Sequence, residues 1–292
     1  MRDFSLDHRW LSINTATVRK QRGVDWPLLD ILDACAARGI RAVAPWRDQV
    51  AAAGLQATEQ RLKAHGLELS GYCRGGMFTY TDAAGQQAVR DDNRRALDEA
   101  CTLNAPCLVL VVGGLPGALA GQCAHRDIGG AREQVTEGIA ALLDDARERR
   151  MPLAIEPLHP MYAADRACIN TLEQALDVCD ALDAGRSGAL WVAVDLYHVW
   201  WDPKLMAMID RAGRSRLLAF HVCDWLTPTT HLLEDRGMMG DGIIDIRSIR
   251  AAVEAQGYAG YSEVEIFSST NWWRRDGGEV LDTCIDRHRS CV

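Results

Sequence analysis

A chain of 292 residues, 48% hydrophobic and 25% charged, has a globular composition and enough material for a large core. Its net charge of −8, with no basic run of five or more, disfavours a nucleic-acid partner, which needs a basic face or stripe. No stretch approaches ~20 uninterrupted apolar residues, and the first residues lack an apolar core of signal-peptide length. A membrane span and a secretory leader are therefore not expected, and a cytoplasmic location is.

In chain order, Trp10 to Ile13 reads as a strand ending at Asn14. Asp25 is expected to cap a helix with Pro27 near its first turn, carrying Leu28, Leu29, Ile31, Leu32, Cys35 and Ala36 at helical spacing until Gly39. Ala42 to Ala44 is the second strand, followed by Pro45-Trp46-Arg47. A helix from about Leu55 to His65 stops at Gly66, and Glu68 to Tyr72 forms a third strand running into Cys73-Arg74-Gly75-Gly76. A long helix follows from about Ala83 to Leu103. The fourth strand, Cys107 to Val112, is wholly apolar, as a strand covered on both faces should be.

A helix from about Gly130 to Arg149 leads to the fifth strand, Pro152 to Ile155, which ends at Glu156. Thr171 caps the next helix, and the sixth strand ends at Asp195. Pro203 opens a short helix to about Ala212, the seventh strand ends at His221, and Ile246 to Ala255 is helical. The eighth strand ends at Glu265 and a last helix covers about Glu279 to His288. Eight strands alternate with eight helices, which predicts right-handed crossovers and a parallel sheet. The expected fold is α/β, a single (β/α)8 TIM barrel occupying residues 1–292 as one domain. The long stretch from Asp224 to Asp245 fits it as an active-site insertion. Ten scattered cysteines with no C-x-x-C pair are expected to be reduced and mostly buried.

In such a barrel the chemistry sits at the C-terminal ends of the strands. The residues there are Asn14, Arg47, Arg74, Glu156, Asp195, His221 and Glu265. Two Glu, one Asp and one His on the fifth to eighth units form a mixed oxygen and nitrogen set. It suits a hard divalent ion such as Mn²⁺, Mg²⁺ or Co²⁺, with Zn²⁺ a further candidate.

Ile155-Glu156-Pro157, Val194-Asp195-Leu196-Tyr197-His198, Phe220-His221-Val222-Cys223-Asp224, Arg236 to Gly242 and Glu263-Val264-Glu265 together resemble the xylose-isomerase-like TIM-barrel superfamily. The likeness spans essentially the whole chain and is nearest to the sugar isomerase/epimerase branch, with its ketose 3-epimerases and inosose-processing enzymes. The resemblance implies that Glu156, Asp195, His221 and Glu265 hold one divalent metal ion, Mn²⁺ foremost. It also implies that Glu156 and Glu265 exchange the proton, that His198 hydrogen-bonds a substrate oxygen, and that Arg236 reaches the substrate from the loop after the seventh strand.

The chemistry is coherent in its own terms. A proton beside a ketone is too weakly acidic to leave unaided; a divalent ion stabilises the enediolate. Two carboxylates on opposite sides can remove the proton and return it, and Arg236 and His198 can donate to the developing oxyanion. Return to the same carbon gives an epimer, return to its neighbour gives an isomer, and loss of a β-substituent gives elimination. The leading expectation is an isomerase or epimerase of a small ketose or keto-polyol. The alternative is a lyase or dehydratase acting on an inosose-like or 3-keto-glycoside substrate. The superfamily's DNA-repair nucleases carry Asp-Arg-His after strand seven; here the triplet is Asp235-Arg236-Gly237, which argues against that activity. Asp224 offers one carboxylate toward a second metal, short of a full second set.

Nine Trp is high, and Trp46, Trp200, Trp201, Trp225, Trp272 and Trp273 all follow strand ends, where their faces suit sugar rings, core packing or an oligomer interface. Asn14, Arg47, Arg74, His159, His198, Trp225 and Arg236 are the candidate substrate contacts. The expected partners are a small carbohydrate-like substrate and further copies of this chain, as dimer or tetramer, with a hetero-partner left open.

Overall fold

The computed structural model describes residues 2–123 and 125–292. Its fold is the α/β barrel that the alternation predicts. The main sheet has nine strands rather than eight because the third predicted strand is in two pieces. These are β1 (Leu11–Asn14), β2 (Ala42–Ala44), β3 (Glu68–Leu69), β4 (Tyr72–Gly76), β5 (Leu108–Val111), β6 (Leu153–Ile155), β7 (Leu190–Asp195), β8 (Leu217–Val222) and β9 (Ser262–Val264). Ser70 and Gly71 separate β3 from β4. Arg74, expected beyond the strand, therefore lies inside β4.

Two compact units divide the chain, residues 1–72 with 219–292 and residues 73–218. In the first, strands follow the order β3-β2-β1-β9-β8. Parallel pairing sets Ser12 level with both Ala42 and Glu263, and His221 level with Glu263. In the second the order is β7-β6-β5-β4, with Leu110 level with Ile155 and Ile155 with Val192. Leu108, Val109 and Leu110 are fully buried, as expected of a strand with no polar side chain.

The helices are α1 (Leu28–Ala37), α2 (Arg47–Ala53), α3 (Leu55–His65), α4 (Ala83–Thr102), α5 (Ile128–Arg149), α6 (Leu172–Leu182), α7 (Leu196–Val199), α8 (Leu205–Ala212), α9 (Ile246–Ala255) and α10 (Gly277–Cys291). Most open on a side chain that accepts one of the orphan first-turn N–H groups: Asp82 from Gly85, Asp127 from Gly130, Thr171 from Gln174, Asp245 from Ser248 and Asp276 from Gly278. Asp25 does not cap α1. It belongs to a hairpin, Lys20–Gln21 with Val24–Asp25, whose turn residues Arg22 and Gly23 both have positive φ. Such a turn usually carries Asn-Gly or Asp-Gly, so Arg-Gly hid it, and Pro27 takes the entry to α1. Gly54, at φ 91°, separates α2 from α3. No disulfide joins any of the ten cysteines, and seven are buried. No helix among the described residues is long and apolar enough to cross a membrane.

Candidate active site

In the unit formed by residues 73–218, β6 ends at Ile155 and Glu156 follows, buried, its backbone N–H donating to the Leu110 carbonyl at 3.1 Å. β7 ends on Asp195, which is fully buried. Its Oδ1 accepts from the Tyr197 N–H at 2.8 Å, so the carboxylate that ends the strand also caps the single turn α7. That turn brings His198 back, with Nε2 at 3.6 Å from Asp195 Oδ2.

The tautomer of His198 follows from its other nitrogen. The His159 backbone N–H donates to His198 Nδ1 at 3.1 Å. An amide can only donate, so Nδ1 carries a lone pair and the proton of the neutral ring sits on Nε2. His198 thus presents a donor on the Asp195 side. Tyr162 and Tyr197 meet its ring edge-on at 5.8 and 5.5 Å between centroids. His159 is half-buried, and burial lowers its pKa. Its Nδ1 accepts from the Met161 N–H, and Trp201 lies edge-on at 5.9 Å while donating from Nε1 to the His198 carbonyl.

In the unit formed by residues 1–72 and 219–292, Asn14 is a junction. Its Nδ2 donates to Glu263 Oε1 at 2.8 Å and to Glu265 Oε1 at 2.9 Å. Its Oδ1 accepts from the Ala16 N–H at 3.1 Å and from Trp46 Nε1 at 2.7 Å. Two donors on one end of the amide fix which end faces the carboxylates. Behind Glu263, Ser70 Oγ donates to Oε2 at 2.7 Å and sits 2.6 Å from Ser12 Oγ. Ser70 has one hydroxyl proton, already given to Glu263, so Ser12 donates to Ser70. Arg236, buried, donates from Nη1 to Glu265 Oε2 at 3.0 Å and lies 5.3 Å from the centroid of Phe267. Phe267 in turn packs edge-on against Trp46 and Trp273. His221 is fully buried, with Nδ1 at 3.9 Å from Glu265 Oε2.

A two-strand ribbon, Asp224–Trp225 against Arg236–Gly237, delivers Arg236. Asp224 organises the ribbon: its carboxylate accepts from the N–H groups of Trp225, Gly240 and Ile244 at 2.9, 2.9 and 3.0 Å. Gly242 is required beside it, since a Cβ there would stand 2.2 Å from the Trp225 carbonyl oxygen. Asp224 is thus occupied as the keystone of a loop, not set up as a ligand of a second metal. Asp235 accepts from both the N–H and the hydroxyl of Thr230.

Within one unit, then, Asn14, His221, Arg236 and Glu265 come together, with Trp225 paired to Arg236 across the ribbon. Within the other, His159, Asp195 and His198 do. Arg47, the first residue of α2, and Arg74, in β4, are half-buried. Trp272 and Trp273 are only 5% exposed, and Trp273 donates from Nε1 to the Ala16 carbonyl, so they pack the interior rather than form a lid. Sequence reasoning passed over Glu263, Ser12 and Ser70 as site residues. The signal for Glu263 was its place two residues before Glu265, on the same face of a strand.

Glu156, Asp195, His221 and Glu265 are all buried, and each offers one ligand atom within 4.8 Å of the other three. Arg236 compensates one of the three carboxylates, and the other two are costly to bury this close without a further cation. An oxygen-rich donor set with a single imidazole suits a divalent ion of the hard or borderline kind. The residues present therefore fit a metal.

Residues 32–284 match the family model described as xylose isomerase-like TIM barrel. The crystal structure of protein SMc04130 from Sinorhizobium meliloti 1021 is 54% identical, covers 97% of this chain and 98% of its own, and superposes with a TM-score of 0.90. The IOLI protein, in a structure with a binding zinc atom, is 17% identical over 94% of each chain, with a TM-score of 0.78. The 3-keto-D-glucoside 4-epimerase YcjR from E. coli, in its apo form, is 16% identical over 97% of this chain and 99% of its own, with a TM-score of 0.73. These last two are likenesses of fold. No curated protein matches the sequence. A family model spanning most of the chain leaves one conclusion: this protein belongs to the xylose isomerase-like TIM barrel family.

Proposed function

We propose that this protein is a divalent-metal-dependent isomerase or epimerase of a small ketose or related keto-polyol, working through an enediolate. The observation that carries the reading is the buried set of Glu156, Asp195, His221 and Glu265 with their ligand atoms within 4.8 Å. The fold likeness to a 3-keto-D-glucoside 4-epimerase supports it. Glu156, Asp195, His221 and Glu265 would hold the ion, with Mn²⁺ the foremost candidate and Mg²⁺, Co²⁺ or Zn²⁺ next. Bound there, a divalent ion would supply positive charge against the oxyanion of the enediolate.

The protein's own residues take the other roles. Glu156 and Glu265 are the acid/base pair, one removing the α-proton and the other returning it. Asn14 and Arg236 both donate to Glu265 and hold it in one orientation. His198 offers its Nε2–H to a substrate oxygen, with the His159 amide keeping that tautomer in place. Arg47, Arg74, His159 and Trp225 are proposed to complete the substrate contacts.

The test is to incubate Mn²⁺-loaded protein with a panel of ketoses and keto-polyols in deuterated water. Deuterium should enter an α-carbon of at least one substrate, with its mass otherwise retained. Glu156→Gln and Glu265→Gln should each slow that exchange by about 10²- to 10⁴-fold. No incorporation by metal-loaded protein would overturn the reading. Loss of water or of an aglycone would convert it to β-elimination at the same site.

A further inference from the structure

We propose that Glu263 is a positioning residue, which aims His221 at the metal position and, through Asn14, holds Glu265 in place. The proposal rests on the metal reading above but assigns a part to a residue outside the ligand set. Glu263 is 1% exposed and sits level with His221 in the parallel pairing of β8 and β9. Neighbours in register on one face of a sheet must touch, and Glu263 Oε1 lies 3.6 Å from His221 Nε2. The opposite nitrogen, Nδ1, lies 3.9 Å from Glu265 Oε2. The ring is thus sandwiched between two carboxylates, of which only Glu265 belongs to the four-residue ligand cluster.

This arrangement decides the tautomer. A histidine ligates through a lone pair, and its other nitrogen keeps the proton. The negative charge of Glu263 favours that proton on Nε2, which leaves the Nδ1 lone pair on the side of Glu265. A carboxylate behind a ligating histidine fixes ring orientation and raises ligand basicity. Glu263 is itself held from two directions, by Asn14 on Oε1 and by Ser70 on Oε2, with Ser12 donating to Ser70. Chains of donors of this kind reinforce each other. Because the Asn14 amide also grips Glu265, one buried carboxylate sets the geometry of two ligands from adjoining strands.

The variant is Glu263→Gln, which keeps the shape and removes the charge. Mn²⁺ affinity, read by titration calorimetry or by competition with a fluorescent chelator, should weaken about 10- to 100-fold. The fold should stay intact in the metal-free state. Long-range ¹⁵N–¹H correlation of the imidazoles should show His221 protonated at Nε2 in the wild type and a shift toward the other tautomer in the variant. A purely structural role would move neither the tautomer nor the metal affinity. Ser70→Ala, which removes only the outer donor, should weaken Mn²⁺ in the same direction by a smaller factor, and it stands in if Glu263→Gln fails to fold.

Mn²⁺ affinity within twofold of wild type in folded protein overturns the proposal. So does complete loss of binding equal to that of Glu265→Gln, which would make Glu263 a ligand. Binding is read without turnover. A chain that binds Mn²⁺ but enolises nothing refutes the proposed function and leaves the role of Glu263 standing. A wild-type chain that binds no divalent ion refutes both.

Discussion

Single side chains here are held by partners remote in sequence, and that is where the sequence was least legible. Carboxylates and an imidazole at strand ends stand out because an apolar run stops on them. Glu263 does not stand out, because its meaning lies in Asn14 and Ser70, 249 and 193 residues away. Arg236 and Glu265 form a buried pair, so removing one partner strands the other's charge. Arg236→Met is expected to cost about 3–5 kcal/mol of stability, and Glu265→Gln in the same chain should recover most of it, as a double-mutant cycle by denaturant unfolding will show. His288 is a second buried case. It stacks on Phe4 at 4.5 Å, neither of its ring nitrogens has a hydrogen-bond partner among the described residues, and burial, with Arg250, His8 and Arg2 opposing a weak pull from Asp7, lowers its pKa from 6.5 to about 3. The folded state therefore resists a proton that the unfolded chain accepts. The stability due to neutral His288 is complete above pH 6.5 and is lost as pH falls toward 3. Melting temperature measured from pH 7 to pH 4 should fall less steeply in His288→Leu than in the wild type.

At the scale of elements, helix identity was legible and element breaks were not. Helical apolar spacing and the Thr171 cap marked α6, and α3 starts at Leu55 as expected, whereas the hairpin turn puts Arg22 at a positive φ that usually selects Asn or Asp, and α2 opens on Trp46 with no side-chain cap to announce it. Gly138 shows why local preference misleads. In the middle of α5, alanine would gain about 1 kcal/mol by helix propensity alone. A Cβ at Gly138, however, would stand 2.5 to 2.8 Å from three atoms of the Phe78 side chain, which is itself buried. Overpacking of that kind costs about 1–3 kcal/mol, so packing wins. Gly138→Ala should lower the melting temperature, and a rise on calorimetry would show that Phe78 has room to move. Asp224 carries a similar weight for the ribbon. Asp224→Ala removes three hydrogen bonds from backbone N–H groups, so amide exchange across residues 225–244 should quicken while α4 and α5 keep their protection.

For the molecule as a whole, the strict alternation of strand and helix made the fold class readable, and none of the ten cysteines lies in a disulfide. Reductant should therefore leave the melting temperature unchanged. Chelation should not: at an ion concentration 100 times its Kd, binding adds about 2.7 kcal/mol, so EDTA should lower the melting point by ~4 °C and Mn²⁺ should restore it. The pairing of β1 bears on how the chain is made. β1 lies between β2 and β9, and β9 begins at Ser262. At a synthesis rate of about 5–20 residues per second, one edge of β1 waits on the order of 12–50 s for its neighbour. Through that interval Asn14 and Ser70 lack their acidic partners, and the edge is open to other chains. Nascent chains arrested before residue 260 should accordingly aggregate and bind no Mn²⁺, while release of the finished chain should bring solubility and metal capture together.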